Sequence, residues 1–457
     1  MDSRKTSRRS FLSLAIGTPL AGALAACGGS GPTQTGAGGG GGGNGGGGGG
    51  GAGSATDWFL TGQPQQAIRE DTVKRFNASN QGGTISYTEF QNDAYKTKIK
   101  TALGAGQGPT MIWGWGGGGL REYVKSNQVE DLTSWFEQNP QQKQRRFASS
   151  FQAATVDGKI YAIPGETVTP IVFYWNKKVL DKIGMSQLPQ DWNGIMQYVQ
   201  TANSKGVAPF SLGGQSRWTN MMWLEFLLDR IGGSQVFENV FKGQKDAWSD
   251  AAVKDMLTKV QDLVRANGFI KGFQSITADS NADQAVFFTG KAGAVLHGAW
   301  IYGNLKTAGG DLVSGGHLAY TNFPKVSASD KGDPSNTVGN PGQYTSINAK
   351  ATPQQQDIAK KFFGTTLLDD TEIQKWVQAG NVPLIKGVDS KFPSGPDGDW
   401  LKFIYNTASN AKSFAQSWDQ ALSPTQAETL LDNIAKLFSL SITPDQWIDN
   451  MNKAIGS

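Results

Sequence analysis

Pro109-Thr110-Met111-Ile112-Trp113-Gly114-Trp115-Gly116-Gly117-Gly118-Gly119-Leu120 is the stretch on which the fold turns. A short apolar run, Met111-Ile112-Trp113, breaks into glycine, as a buried strand does when it runs out into a loop. Upstream, Trp58-Phe59-Leu60 is a second short apolar run, and Thr84 to Phe90 alternates with period two. Between them Ile68, Thr72 and Phe76 share one helical stripe, and Leu103 lies on the next helix. Downstream, Trp192, Ile195, Met196 and Val199 keep helical spacing, as do Ile358 and Phe362, then Leu430, Ile434, Leu437 and Phe438. Thr352-Pro353-Gln354-Gln355 and Thr443-Pro444-Asp445-Gln446 are capping boxes: Thr caps, Pro fills the first turn and Gln reaches back. Strands alternating with helices predict an α/β fold with mostly parallel sheets. Ligands then sit beyond the carboxyl ends of the strands. That places loops 61–66, 113–119, 214–220 and 297–302 at the mouth of a site.

The first residues read differently. Arg4, Lys5, Arg8 and Arg9 precede an apolar run from Leu14 to Ala26. This run is shorter than the roughly 20 residues that span a bilayer, so 1–26 is predicted to be a secretory signal. Arg8-Arg9 before Phe11-Leu12 resembles the twin-arginine export signal, and Leu24-Ala25-Ala26-Cys27 resembles a lipobox. Cys27 is the sole cysteine. It is predicted to be a lipidation site holding the chain at a membrane surface, on the outer, extracytoplasmic face. Residues 27–56 are almost all small and glycine-rich and predict a flexible tether, with an rms span of roughly 30 Å. The signal accounts for most of the net charge of +4. With no basic stripe left, nucleic acid is not an expected partner.

About 400 residues follow Asp57, enough for two lobes of ordinary size. Catalytic signatures are weak. His297 and His317 are the only histidines, and neither belongs to a triad or a metal-ligand spacing. The run Gly116 to Gly119 lacks the Lys-Ser/Thr of a phosphate loop. No cofactor or metal is expected. A pair of carboxylates, all that a glycosidase needs, is compatible with the sequence. The abundant chemistry is tryptophan, fourteen in all. Trp113, Trp115, Trp218, Trp223 and Trp300 lie in or beside the predicted mouths, each a candidate for ligand or for core. A sugar ring needs an aromatic face for its C–H groups and polar partners for its hydroxyls. Gln63, Gln91 and Asp93 lie near the first two mouths, and Gln215, Arg217 and Asn220 surround Trp218. Asp93 could equally cap a helix from Ala94. Arg217 keeps open a binder of peptides or amino acids.

From about Trp58 onward the chain resembles the extracellular solute-binding proteins that serve sugar importers, the maltose-binding proteins among them. The resemblance is carried by 109–120 with Val129-Glu130-Asp131-Leu132, by Gly158-Lys159-Ile160-Tyr161-Ala162-Ile163-Pro164 through Tyr174-Trp175-Asn176-Lys177, by Gly293 to Trp300, and by Asn322-Phe323-Pro324. It implies a two-lobed, periplasmic-binding-protein-like α/β fold with a hinge and an interlobe cleft. The first lobe is expected from 57–166 and 325–376, the second from 167–324 and 377–457. It also implies a monomer that carries a short oligosaccharide to the permease subunits of an ABC importer, and no enzyme. Trp300 matches the family's stacking tryptophan and Trp218 a second aromatic wall. Trp115 is expected to face ligand from the glycine loop, with Trp113 turned into the sheet. Glu166 and Thr169 bind hydroxyls or shape the hinge. Gln343 and Trp418 contact ligand or pack between lobes, and His297 is a strand residue. Gly116-Gly117 stands where many maltodextrin binders have an Asp-Arg pair. In this the chain looks closer to members taking short plant or chitin oligosaccharides, such as xylobiose or cellobiose.

Overall fold

The structure, a computed structural model, describes residues 53–455. The signal-like segment, Cys27 and nearly all of the expected tether lie outside them. The chain opens with β1 (Ser54–Leu60), β2 (Thr84–Phe90) and β3 (Met111–Gly114), then a small hairpin of β4 (Thr155–Val156) and β5 (Lys159–Ile160), then β6 (Ile163–Pro164). β7 (Thr167–Asn176), β8 (Ala208–Ser211), β9 (Ala292–Gly298) and β10 (Leu318–Thr321) follow. β11 (Thr337–Asn340), β12 (Tyr344–Ile347), β13 (Val382–Pro383) and β14 (Phe414–Gln416) complete the strands. One sheet has the order β2-β1-β3-β12-β6 and the other β14-β11-β7-β9-β8, with β10 and β13 also paired to β7. Each sheet, with its covering helices, forms one half of an α/β fold.

Three expectations change. The sheets are mixed rather than mostly parallel: β1 pairs in parallel with β2 and β3, but β12 runs antiparallel to both β3 and β6, and β9, β10, β11 and β13 all run antiparallel to β7. A chain that crosses between halves and returns enters each sheet from the opposite end. The folded part starts at Ser54 rather than Asp57. Ser54, Ala55 and Thr56 pair with Thr84, Ile85 and Ser86, and Ala55 is fully buried. The return crossing lies between Asn340 and Tyr344, not near 325, because β11 is a member of the second sheet. The buried Arg230 holds the intervening segment there, donating to the carbonyls of Phe323 at 3.2 Å and Asn336 at 3.1 Å.

β7 is buried along all ten residues. Its apolar stretch, Ile171 to Trp175, has no polar alternation because both faces are covered. On one face Phe173 packs against Trp223 and Phe323, and on the other Tyr174 packs against Trp400. Trp223, a candidate for a mouth, is therefore core. Both capping boxes form, and Ser423-Pro424-Thr425-Gln426 makes a third of the same design.

Among the carboxyls buried in this frame, three are shifted furthest by burial. Burial pushes Glu225 up to about 8 and Asp57 and Glu372 up to about 7. A carboxyl held above its ordinary value contributes stability that is complete below about pH 4 and is lost as pH rises through the folded-state value. The unfolding temperature should therefore fall between pH 5 and pH 8.5. Glu225→Gln should flatten that fall by raising the pH 8.5 value by roughly 2 °C or more, with little change at pH 5. Thermal unfolding followed by circular dichroism across this range checks it, and parallel curves for the two proteins would count against it.

Candidate functional site

The two halves meet around a cavity of about 200 Å³. Its wall takes residues from all four predicted mouths: Gln63 and Gln65, Trp113 and Trp115, Trp218, and His297 with Trp300. Trp218 opens the helix Trp218–Gly232, and Trp300 lies in the turn that ends β9. Their ring centroids are 6.0 Å apart with planes inclined by 52°, which makes an aromatic corner. His297 stands edge-on to both rings, 5.6 Å from Trp218 and 5.3 Å from Trp300. Its Nδ1 accepts the Gly298 N–H at 2.9 Å, and its Nε2 lies 3.2 Å from the Asp283 carboxylate. The strand residue thus props the corner from behind while also lining the cavity.

Glu166 lines the cavity but is saturated by the protein. Arg69 binds it through two hydrogen bonds, at 2.7 and 2.8 Å, and the Trp113 indole N–H donates to it at 2.7 Å. Trp113 is thus a wall residue as well as a sheet residue, tied to the crossover, and stands edge-on to Trp115 at 4.7 Å. Gln343 and Thr169 hold one another: Gln343 Nε2 donates to the Thr169 hydroxyl at 3.3 Å, and its Oε1 accepts the Thr167 N–H at 3.2 Å. All three sequence candidates of the crossover face the cavity, yet their polar atoms serve the hinge.

Two candidates lie elsewhere. The Trp418 ring is buried in the second half, stacked on Phe237 at 5.0 Å and edge-on to Trp248. Its neighbours Ser417, Asp419 and Gln420 reach the cavity instead. Asp93 is not a cap: the helix starts at Asn92, and the Asp93 N–H donates to Asp279 at 3.0 Å, across the cleft. Further polar wall residues escaped sequence reasoning, among them Lys96, Asp279, Asn340 and Asn381. They stand singly on a helix, in turns or, for Asn340, at the end of β11, where no periodicity marks them.

Apart from His297 Nε2, which lies against Asp283, three buried polar atoms in the wall have no hydrogen-bond partner among the described residues: the Trp218 indole N–H, one Asp279 carboxylate oxygen and the Asn340 amide oxygen. Each would cost about 1–3 kcal/mol if left unsatisfied in a dry site. The cations of the wall are paired, Arg69 with Glu166 and Lys96 with Asp419 at 3.1 Å.

The halves are in contact around this cavity. Gln65 donates to the Trp300 carbonyl at 2.8 Å, Gln416 to the Trp115 carbonyl at 2.7 Å, and Arg121 to the Ala421 carbonyl. The glycines of 116–118 permit this approach. A Cβ on Gly117 would lie 2.5 Å from the Gln420 carbonyl oxygen, and one on Gly118 would lie 1.7 Å from that of Leu422. Among the described residues no helix is long and apolar enough to cross a membrane, and no His/Cys/Asp/Glu cluster could hold a metal ion.

Known proteins agree with this architecture. A solved structure from work on xylan utilization by the thermophilic bacterium Caldanaerobius polysaccharolyticus superposes with a TM-score of 0.79 at 29% identity, covering 88% of this chain and 100% of that one. A chitin oligosaccharide binding protein superposes with a TM-score of 0.78 at 22% identity, covering 88% and 97%. A probable sugar-binding periplasmic protein of Mesorhizobium japonicum is 28% identical over 234 residues, 48% of this chain and 52% of that protein. The chain spans about half the length of the curated relatives it matches. Residues 60–373 match the bacterial extracellular solute-binding protein family, and the chain belongs to it.

Proposed function

We propose that this protein is the carbohydrate-capturing component of an ABC importer, closing its two halves over a short oligosaccharide and handing it to membrane permeases. The observation that carries the reading is the pairing of the Trp218–Trp300 corner with an unpartnered donor and two unpartnered acceptors in one wall. A hydroxyl both donates and accepts, and a pyranose ring adds an apolar face. The named sugars of the relatives support the same class. A peptide or amino acid would require a free cationic clamp. Arg217, the residue that kept that option open, is bound to Glu428 at 2.9 Å and Asp432 at 2.6 Å.

Binding is the whole task in this reading, with no bond broken. Glu166 and Asp419 are held in ion pairs, which leaves Asp279 as a hydrogen-bond acceptor rather than half of an acid pair. Contacts that exist only when the halves meet bias the open–closed balance toward the closed form. The monomer works outside the cytoplasm, tethered by its glycine-rich segment to lipidated Cys27.

Titrating mono- to tetrasaccharides against intrinsic tryptophan fluorescence should give saturable binding. Trp300→Ala should weaken it by about 2 kcal/mol or more, near thirtyfold. A flat response to every sugar, or reaction products found by chromatography, would refute the proposal. Gly118→Ala should weaken all sugars alike and reduce the ligand-induced contraction measured by small-angle X-ray scattering. Contraction and affinity equal to the unaltered protein's would contradict the closure step.

A further inference from the structure

We infer that Arg217 is a positioning residue for the aromatic corner: its side chain, bracketed by two carboxylates, holds a backbone twist that aims Trp218 at the cavity. This role rests on the sugar-binding reading of Trp218 above.

The backbone at Arg217 is unusual. With φ 59° and ψ −44°, it joins the short turn Gly214–Ser216 to the helix Trp218–Gly232. Asp246 and Asn281 also enter helical segments with positive φ, but both have ψ 23°, inside the left-handed well. Asn and Asp tolerate that well through their short polar side chains. Arg217 has no such side chain and falls outside the well. It lies toward the positive-φ γ-turn, which is rare and strained for a residue with a Cβ. Such a conformation persists only where the surroundings over-determine it.

Here they do so from two sides. Upstream, the Ser216 hydroxyl accepts the Ala278 N–H at 3.1 Å, and the Thr219 hydroxyl donates to the Gly213 carbonyl at 2.7 Å. The chain packs directly on Phe273, since a Cβ on Gly214 would lie 2.6 Å from that ring. On the other side, Arg217 Nη1 donates to Glu428 at 2.9 Å and to Asp432 at 2.6 Å. These acids stand one turn apart on the helix Pro424–Phe438, which packs against the helix Trp218–Gly232. The guanidinium is thus anchored to a neighbouring helix while its own backbone is twisted.

The twist sets the start of the helix that carries Trp218. The Arg217 carbonyl accepts the N–H groups of Asn220 at 3.0 Å and Met221 at 3.3 Å. Trp218 is the next residue, and its ring meets Trp300 at 6.0 Å. Relaxing Arg217 to an ordinary φ would turn the Trp218 side chain out of the corner. The Cβ makes the twist costly, and the guanidinium opposes its relaxation. One position separates the two effects. Arg217→Ala keeps the Cβ and removes the anchor. Arg217→Gly removes both, and glycine occupies positive φ freely.

The test compares these variants of the full chain in titrations with the tightest-binding sugar of a xylo-, cello- and chito-oligosaccharide panel. Arg217→Ala should bind about tenfold more weakly, and Arg217→Gly within about twofold of the unaltered protein. Glu428→Gln combined with Asp432→Asn, both at exposed positions, should reproduce the alanine loss with Arg217 in place. This also decides the matter if Arg217→Ala does not fold. Unaltered affinity in Arg217→Ala or in the acid pair variant overturns the inference. Equal weakening by alanine and glycine overturns it too, because the guanidinium would then act on the ligand itself. A second readout needs no ligand. The exciton couplet of the Trp218–Trp300 pair in circular dichroism, identified by its loss in Trp300→Phe, should survive Arg217→Gly and vanish in Arg217→Ala. A couplet unchanged in Arg217→Ala contradicts the role of Arg217. Absence of sugar binding by the unaltered protein would instead defeat the sugar reading, and the couplet would still decide whether Arg217 aims Trp218.

Discussion

The site depends on a buried charge at the crossover. The Glu166 carboxylate sits almost out of water, where an unpaired charge would cost several kcal/mol. Arg69 and the Trp113 indole satisfy it together. One of these comes from the helix that follows β1, the other from β3, and Glu166 itself immediately precedes β7. A single bonded cluster therefore ties the first sheet to the strand at the centre of the second. It fixes where Trp113 stands, and with it the edge-on Trp115. Removing Arg69 would leave the Glu166 charge with no cation to answer it.

With that cluster in place, the wall divides its labour. The cations of the wall are used up in pairs that shape the protein: Arg69 with Glu166, Lys96 with Asp419. The Asn340 amide, the Trp218 indole and one oxygen of Asp279 are left to face the cavity. This suits a neutral, hydroxyl-rich solute, because a paired charge offers little differential binding while an unpartnered amide oxygen or indole N–H offers a full hydrogen bond. Around the cavity the halves meet through polar contacts, with glycine where backbones approach.

Much of this was legible in the sequence where a local rule governed it. Strand Thr84–Phe90 alternates and was bounded correctly, and the Thr-Pro-x-Gln boxes became helix starts. Trp300 and Trp218 line the cavity where residue type, loop position and the family resemblance together point. Trp418 is ambiguous in the sequence because an indole at the start of a short helix looks the same whether it points into the cleft or onto Phe237. Strand direction was illegible, since pairing across hundreds of residues leaves no local trace. The same holds for Glu166: the sequence identifies an acid in the crossover, and only the position of Arg69 determines that the protein has already used it. Asp279 and Asn340 carry no signal, because a single polar residue in a turn or at a strand end is indistinguishable in sequence from solvated surface.

The most direct measurement is a crystal structure of the protein soaked with its tightest-binding oligosaccharide. One ring should lie in the Trp218–Trp300 corner, with hydroxyls on Asp279, Asn340 and the Trp218 indole N–H, and with Glu166 still bound to Arg69. A sugar bound outside this cleft, or one that displaces Arg69 from Glu166 to reach the carboxylate, would contradict the account.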